Sequence, residues 1–116
     1  MLIFKIFQPG EWADLEERGV TKGAPIDLSD GFIHFSTLEQ VRTTAELHFS
    51  DAGDLVLVAV DTSSLGQDLK WEVSRGGALF PHLYRRLHLN EVAWSAPLPR
   101  EGDAHVFPEK LGGAAA

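Results

Sequence analysis

Leu55-Val56-Leu57-Val58-Ala59-Val60 leaves this chain the least freedom. A strand sends alternate side chains to opposite faces, so a run that is apolar at every position has to be covered on both sides. Asp54 to Thr62 is therefore predicted as a central strand, with packing material above and below it. The run is far too short to cross a bilayer. The chain opens directly on another apolar segment, without a basic region or a cleavage site, so no secretory signal is expected and a cytoplasmic location is. At 116 residues there is enough chain for one core and too little for two. We expect a single domain over residues 1–110 and a disordered tail over 111–116.

Leu2 to Phe7 reads as a second strand, with Lys5 its one polar residue, and Pro9-Gly10 ends it. Residues 11–18 predict a short helix with Trp12 and Leu15 on one face and Gly19 as its C-cap. Val20 to Asp30 has turn chemistry and no regular period, which predicts a surface loop. Ser36-Thr37-Leu38-Glu39 has the form of a capping box, with Thr37 and Gln40 repeating the pattern one residue later, so a helix running to about residue 49 should follow. Leu69-Lys70-Trp71-Glu72-Val73 alternates, which predicts a strand with Leu69, Trp71 and Val73 inward. Leu87 to Leu89 and Glu91 to Ser95 read as short strands. The expected fold class is mixed α+β, with central strands and two short helices.

Gly31-Phe32-Ile33-His34-Phe35-Ser36 is the stretch where chemistry is expected. His34 and Ser36 share one face of an otherwise apolar strand, and buried polar groups need partners or a ligand. A helix starting just after Ser36 would aim unpaired N–H groups at the same place, an arrangement suited to an anion. A lone strand histidine such as His34 is more often a satisfied structural residue, and Ser36 reads also as a plain N-cap, a role compatible with the anion site. Glu72, beside Trp71, is the candidate acid, able to hold a ribose hydroxyl or stabilise developing positive charge. Its alternative is a surface pair with Lys70 or Arg75. Phe80-Pro81-His82-Leu83-Tyr84 adds an aromatic wall, a second histidine and a phenol.

The charge balance narrows the partners. A net charge of −7 argues against binding long nucleic acid, yet residues 70–90 carry Lys70, Arg75, Arg85 and Arg86 against Glu72 alone. That local excess suits either a small-anion pocket or a solvated loop. There are no cysteines, and the histidines have no ligand spacing, so no metal site is expected.

Taken together, Glu11-Trp12, Gly31 to Val41, Asp54 to Leu57, Leu69-x-Trp71-Glu72 and Gly76-Gly77-x-x-Phe80-Pro81-His82-Leu83-Tyr84 resemble the bacterial family called domain of unknown function 952. The resemblance runs to about Val92 and implies a fold similar to that of ADP-ribosyltransferases. A further likeness is to tRNA 2′-phosphotransferases, which use NAD. Phe32 to Ser36 matches their His-containing strand, while Lys5 stands where relatives carry a His or Arg. The likeness implies His34 and Glu72 as catalytic residues at a nicotinamide ribosyl bond. Ser36, Thr37, Trp71, Arg75, Phe80, His82 and Tyr84 would then bind NAD or an ADP-ribose-like ligand. The same pocket without catalysis would be a binding module for a small phosphorylated or nucleotide metabolite.

Overall fold

The structure, a computed structural model, describes residues 1–111; residues 112–116, where the disordered tail is expected, and the side chain of Arg75 lie outside the described part. In chain order the elements are β1 (Leu2–Phe7), α1 (Pro9–Arg18), β2 (Val20–Thr21), α2 (Pro25–Asp30), β3 (Ile33–His34) and α3 (Val41–His48). Then come β4 (Leu55–Asp61), β5 (Leu69–Val73), β6 (Leu79–Leu83), β7 (Leu87–His88), β8 (Val92–Leu98), β9 (Arg100–Glu101) and β10 (Ala104–His105). The class is mixed α+β, with three helices and small antiparallel sheets.

β4 is the middle strand of the β1-β4-β8 sheet, antiparallel to both neighbours. Its two faces feed two cores, as its composition requires. Val58 and Val60 join Ile3, Phe7, Leu15, Ile33, Phe35 and Leu83 on one side. Leu55, Leu57 and Ala59 join Phe4, Ile6, Val41, Ala45 and Leu98 on the other. Leu111, grouped with the tail in the sequence reading, is buried in this second core, so packed chain extends at least that far. Among the described residues no helix is long and apolar enough to cross a membrane.

A second sheet, ordered β3-β6-β5, carries the chemistry-bearing residues. It is fastened to the first through Ser36, whose N–H and C=O both pair with Phe4 on the free edge of β1 at 2.8 Å. Lys5, next in β1, lies on the face of Ile3 and Phe7 and so points toward the second sheet.

Three expectations need correction. Val20 to Asp30 is not an irregular loop but contains β2 and the third helix, α2. Pro25 starts α2 with the φ that a first turn needs. The Asp27 carboxylate accepts from the Ala24 N–H at 2.7 Å, and Gly31, with φ 87°, closes the end by donating to the Asp27 carbonyl at 2.9 Å. The Ser36–Glu39 capping box does not form, because the Ser36 backbone is committed to Phe4. α3 begins at Val41 instead, over a turn in which the Thr37 N–H donates to Gln40 Oε1 at 3.0 Å. The alternation of β5 is real, but its inward face is not covered throughout. Leu69 opposes Leu83 over the core, whereas Trp71 and Val73 sit farther out on an edge strand and are 40% and 69% exposed. Among the described residues no layer lies over that end of the β5–β6 hairpin to bury them.

Candidate functional site

Antiparallel pairing aligns the two histidines: His34 opposes His82 across β3 and β6, and their rings lie 5.4 Å apart at 70°. Directly opposed residues share a face of the sheet. Across β6 and β5 the register sets Phe80 against Glu72 and His82 against Lys70, so Glu72 comes to the same face. There its Oε1 accepts from His82 Nδ1 at 2.8 Å and from the Tyr84 hydroxyl at 2.7 Å. Phe32 lies across the group, its ring 4.1 Å from that of His82, 4.6 Å from His34 and 5.2 Å from Tyr84.

Each imidazole is oriented by a carboxylate. For His34 the partner is Asp27, which sequence reasoning missed. Asp27 is 1% exposed, and its Oδ1 lies 2.6 Å from His34 Nδ1 and 3.1 Å from the His34 N–H. Its Oδ2 meets Lys5 Nζ at 2.6 Å, and the Lys5 side chain is itself 7% exposed. Asp27 thus ties α2, β1 and β3 together at a single carboxylate. Burial works against that charge, yet the hydrogen bond from His34 and the nearby Lys5 ammonium outweigh it and hold Asp27 below the ordinary carboxylate range. Burial pulls the Lys5 ammonium below the ordinary range against the opposing influence of Asp27, its ion-pair partner, and of Glu11. The other nitrogen of His34, Nε2, faces Asp30 Oδ2 at 3.0 Å.

Glu72 is held differently. The Tyr84 hydroxyl first, and His82 second, keep its carboxyl below the ordinary range, and the same bond pushes the Tyr84 phenol up. Both donors use Oε1; among the described residues nothing donates to Oε2. His82 carries an orphan atom: it is 4% exposed, its Nδ1 is satisfied by Glu72, and its buried Nε2 has no partner among the described residues. A buried polar atom without a partner is rare enough to require a reason.

Of the predicted site residues, His34, Glu72, His82 and Tyr84 come together, and Phe80 is buried on the same strand as His82. Ser36 and Thr37 do not join them: the Ser36 hydroxyl bonds Thr44 Oγ1 at 2.7 Å, on the α3 side. Trp71 opposes Pro81, on the face away from Glu72. Arg85, part of the basic segment, forms a two-pronged pair with Glu91 at 2.9 and 2.7 Å and reaches Asp68 at 3.1 Å. That removes it from any anion pocket and leaves Lys70 and Arg86 as exposed charges.

The hollow expected over His34 is filled by Phe32. Two described hollows open elsewhere. One, of about 480 Å³, lies beside α3 and β10 and includes Arg42, Asp103 and Phe107. The other, of about 340 Å³, lies beside Trp94 and Lys110. No group of three or more potential metal ligands occurs among the described residues.

Residues 6–95 match the family model described as protein of unknown function (DUF952). The crystal structure of protein CC0527 from Caulobacter crescentus is similar to this chain at 46% identity and a TM-score of 0.90, covering 96% of this chain and 98% of that one. A crystal structure of a double-methionine variant of that protein gives 45% identity with the same coverage and TM-score. Its solution NMR structure gives 48% identity and a TM-score of 0.80, covering 90% of each chain. No curated protein matches.

Proposed function

The chain belongs to the DUF952 family, and within it we propose an ADP-ribosyltransferase-like domain that binds NAD or a related ribosyl nucleotide at the His34–Glu72 face and acts on the nicotinamide ribosyl bond. What carries this reading is the state of Glu72: a carboxyl held low, fixed through one oxygen by Tyr84 and His82, with no donor to its second oxygen among the described residues. Cleavage of that bond sends both electrons of the C–N bond to the departing nicotinamide and leaves an oxocarbenium-like carbon. A carboxylate positioned beforehand stabilises such a carbon without having to reorganise. Water, or an acceptor hydroxyl, then adds to the carbon and gives up its proton to the Asp30 carboxylate, which His34 holds at 3.0 Å. In this scheme His34 is positioned by Asp27, and Lys5 acts through Asp27 rather than on the ligand.

A non-catalytic nucleotide-binding module draws support from a separate observation. Both imidazoles already pack against Phe32, His82 stacked and His34 tilted, and His34 Nε2 already faces Asp30, so neither is ready to act until something displaces those groups. Thermal-shift measurements with NAD and ADP-ribose, run beside chromatographic assay of NAD consumption, separate the two. Under the enzyme reading NAD is consumed, and Glu72→Gln abolishes turnover while retaining most of the ligand-induced shift. A shift without consumption by the wild-type protein favours the module, and the absence of any nucleotide-induced shift refutes both.

A further inference from the structure

The β3-β6-β5 sheet ends on β5, and among the described residues no strand pairs with its outer side. The register decides which backbone groups point there. The Ser74 N–H donates to the Ala78 carbonyl and the Tyr84 N–H to the Asp68 carbonyl, each at 2.9 Å, so the even-numbered residues of β5 bond to β6. Leu69, Trp71 and Val73 therefore turn their N–H and C=O groups outward. Pro81, opposite Trp71, fits this alternation: it has no N–H to give, and its carbonyl takes the Phe35 N–H at 3.0 Å on the β3 side. Edges of this kind are ordinarily blunted by a proline, a bulge or a covering element. Leu69–Val73 contains no proline, and its register with β6 runs unbroken.

Trp71 and Val73, with Leu79 opposite Val73, form an apolar strip on one face of this edge and are 40%, 69% and 52% exposed. Lys70 and Glu72 stand on the other face. We propose that β5 is a self-association edge, through which two copies of this chain join antiparallel about a two-fold axis at Trp71. The two three-stranded sheets then become one of six strands. The outward groups of Leu69, Trp71 and Val73 make its hydrogen-bonded pairs, Trp71 with Trp71 and Leu69 with Val73. Lys70 meets Glu72 of the other copy at the closer, non-bonded pairs. Charge complementarity is what selects a second copy in this register. Sliding the pairing by two residues sets Lys70 against Lys70, or Glu72 against Glu72, and like charges directly opposed are destabilising. The arriving lysine also comes within reach of Glu72 Oε2, to which no described residue donates. This association does not depend on the nucleotide reading, and the two compete for one oxygen of Glu72.

Five-residue strands with one apolar strip make a small interface, so the dimer is expected to form over about 10 µM to 1 mM in sedimentation equilibrium. Amide hydrogen exchange of the full chain at the two ends of that range locates the contact. Leu69, Trp71 and Val73 should slow about threefold or more at the high concentration, by mass action, while Lys70 and Glu72, bonded to β6, keep one rate throughout. Val73→Pro removes an outward N–H and no bond to β6, so it should abolish the dimer and leave the rest of the amide spectrum in place. Lys70→Glu and Glu72→Lys test the same register without touching the backbone. Each should be monomeric alone, and mixing the two should restore a dimer, because unlike charges then meet at both pairs. A chain that is monomeric at about 1 mM overturns the proposal. So does slowed exchange confined to residues away from β5, a dimer that survives Val73→Pro, or a mixture of the two charge variants that stays monomeric.

Discussion

Replacing Lys5 by Met and Asp27 by Asn, singly and together, tests the buried pair beneath His34. Lys5→Met keeps the apolar stem and removes the ammonium. Asp27 then stays buried but retains three donors: His34 Nδ1, the His34 N–H and the Ala24 N–H. The loss is close to that of a single charge-assisted hydrogen bond, about 2 kcal/mol. Asp27→Asn is more damaging, because Lys5, with a side chain 7% exposed, is left without its bonded anion. Removing one partner of a buried pair costs about 3–5 kcal/mol. In the double variant the stranded charge is gone, so its loss should fall short of the sum of the singles by about 1–3 kcal/mol. Urea denaturation at pH 7, followed by circular dichroism, gives the three numbers. Losses that add to within about 0.5 kcal/mol would refute the coupling. The acid limb gives a second reading. Because Asp27 titrates below the ordinary carboxylate value of 3.8, the unfolded chain takes up its proton first. Its contribution is present above that value and disappears as pH falls through the folded one. Asp27→Asn should flatten this limb.

Three further outcomes are expected. Gly23→Ala would put a Cβ 2.3 Å from Asp27 Oδ2 at a φ of +100°, so it should destabilise by about 2 kcal/mol or more and shift the His34 imidazole resonances. Gly31→Ala is its control: φ is positive but the space is open, and the expected loss is nearer 1 kcal/mol. Leu57→Ala, at a fully buried position of β4, should lower stability by about 2–5 kcal/mol in the same urea assay, and a smaller loss would mean that the second core collapses around the gap. Tyr84→Phe removes the first of the two donors that hold the Glu72 carboxyl low, so carbon-detected NMR titration should find Glu72 moved upward while the melting temperature stays unchanged; an unmoved Glu72 would mean that the hydroxyl does not reach it in solution.

The run at 55–60 was legible because burial on both faces leaves a mark at every position. Gly19 was legible as the end of α1 because few residues other than glycine reach its φ of 77° without strain. His34, Glu72, His82 and Tyr84 could be grouped from their residue types. What their gathering does chemically is a separate matter, on which sequence pattern bears little. Trp71 was misread because a period of two tells which residues share a face but not whether anything covers that face. Asp27 was passed over for a different reason. Aspartate is ordinarily a surface residue, and the partner that lets it be buried is Lys5, 22 positions earlier and on another element. Only Ala24-Pro25 before it and Gly31 after it hinted at a helix.

The arrangement around β4 has a consequence for how the molecule comes into being. Its hydrogen-bonded neighbours are Leu2–Phe7 on one flank and Val92–Leu98 on the other, so the centre of the sheet is assembled from both ends of the chain. Such distant pairings form late, since the loop between them must be closed before any contact rewards it. A growing polypeptide that has reached Asp61 has only half of its lattice available. The aliphatic ribbon must then wait, one flank bare, until the proline-bearing segment at 92–98 has been made. Fragments cut anywhere between those limits should be inert alone and recover their shape only when mixed.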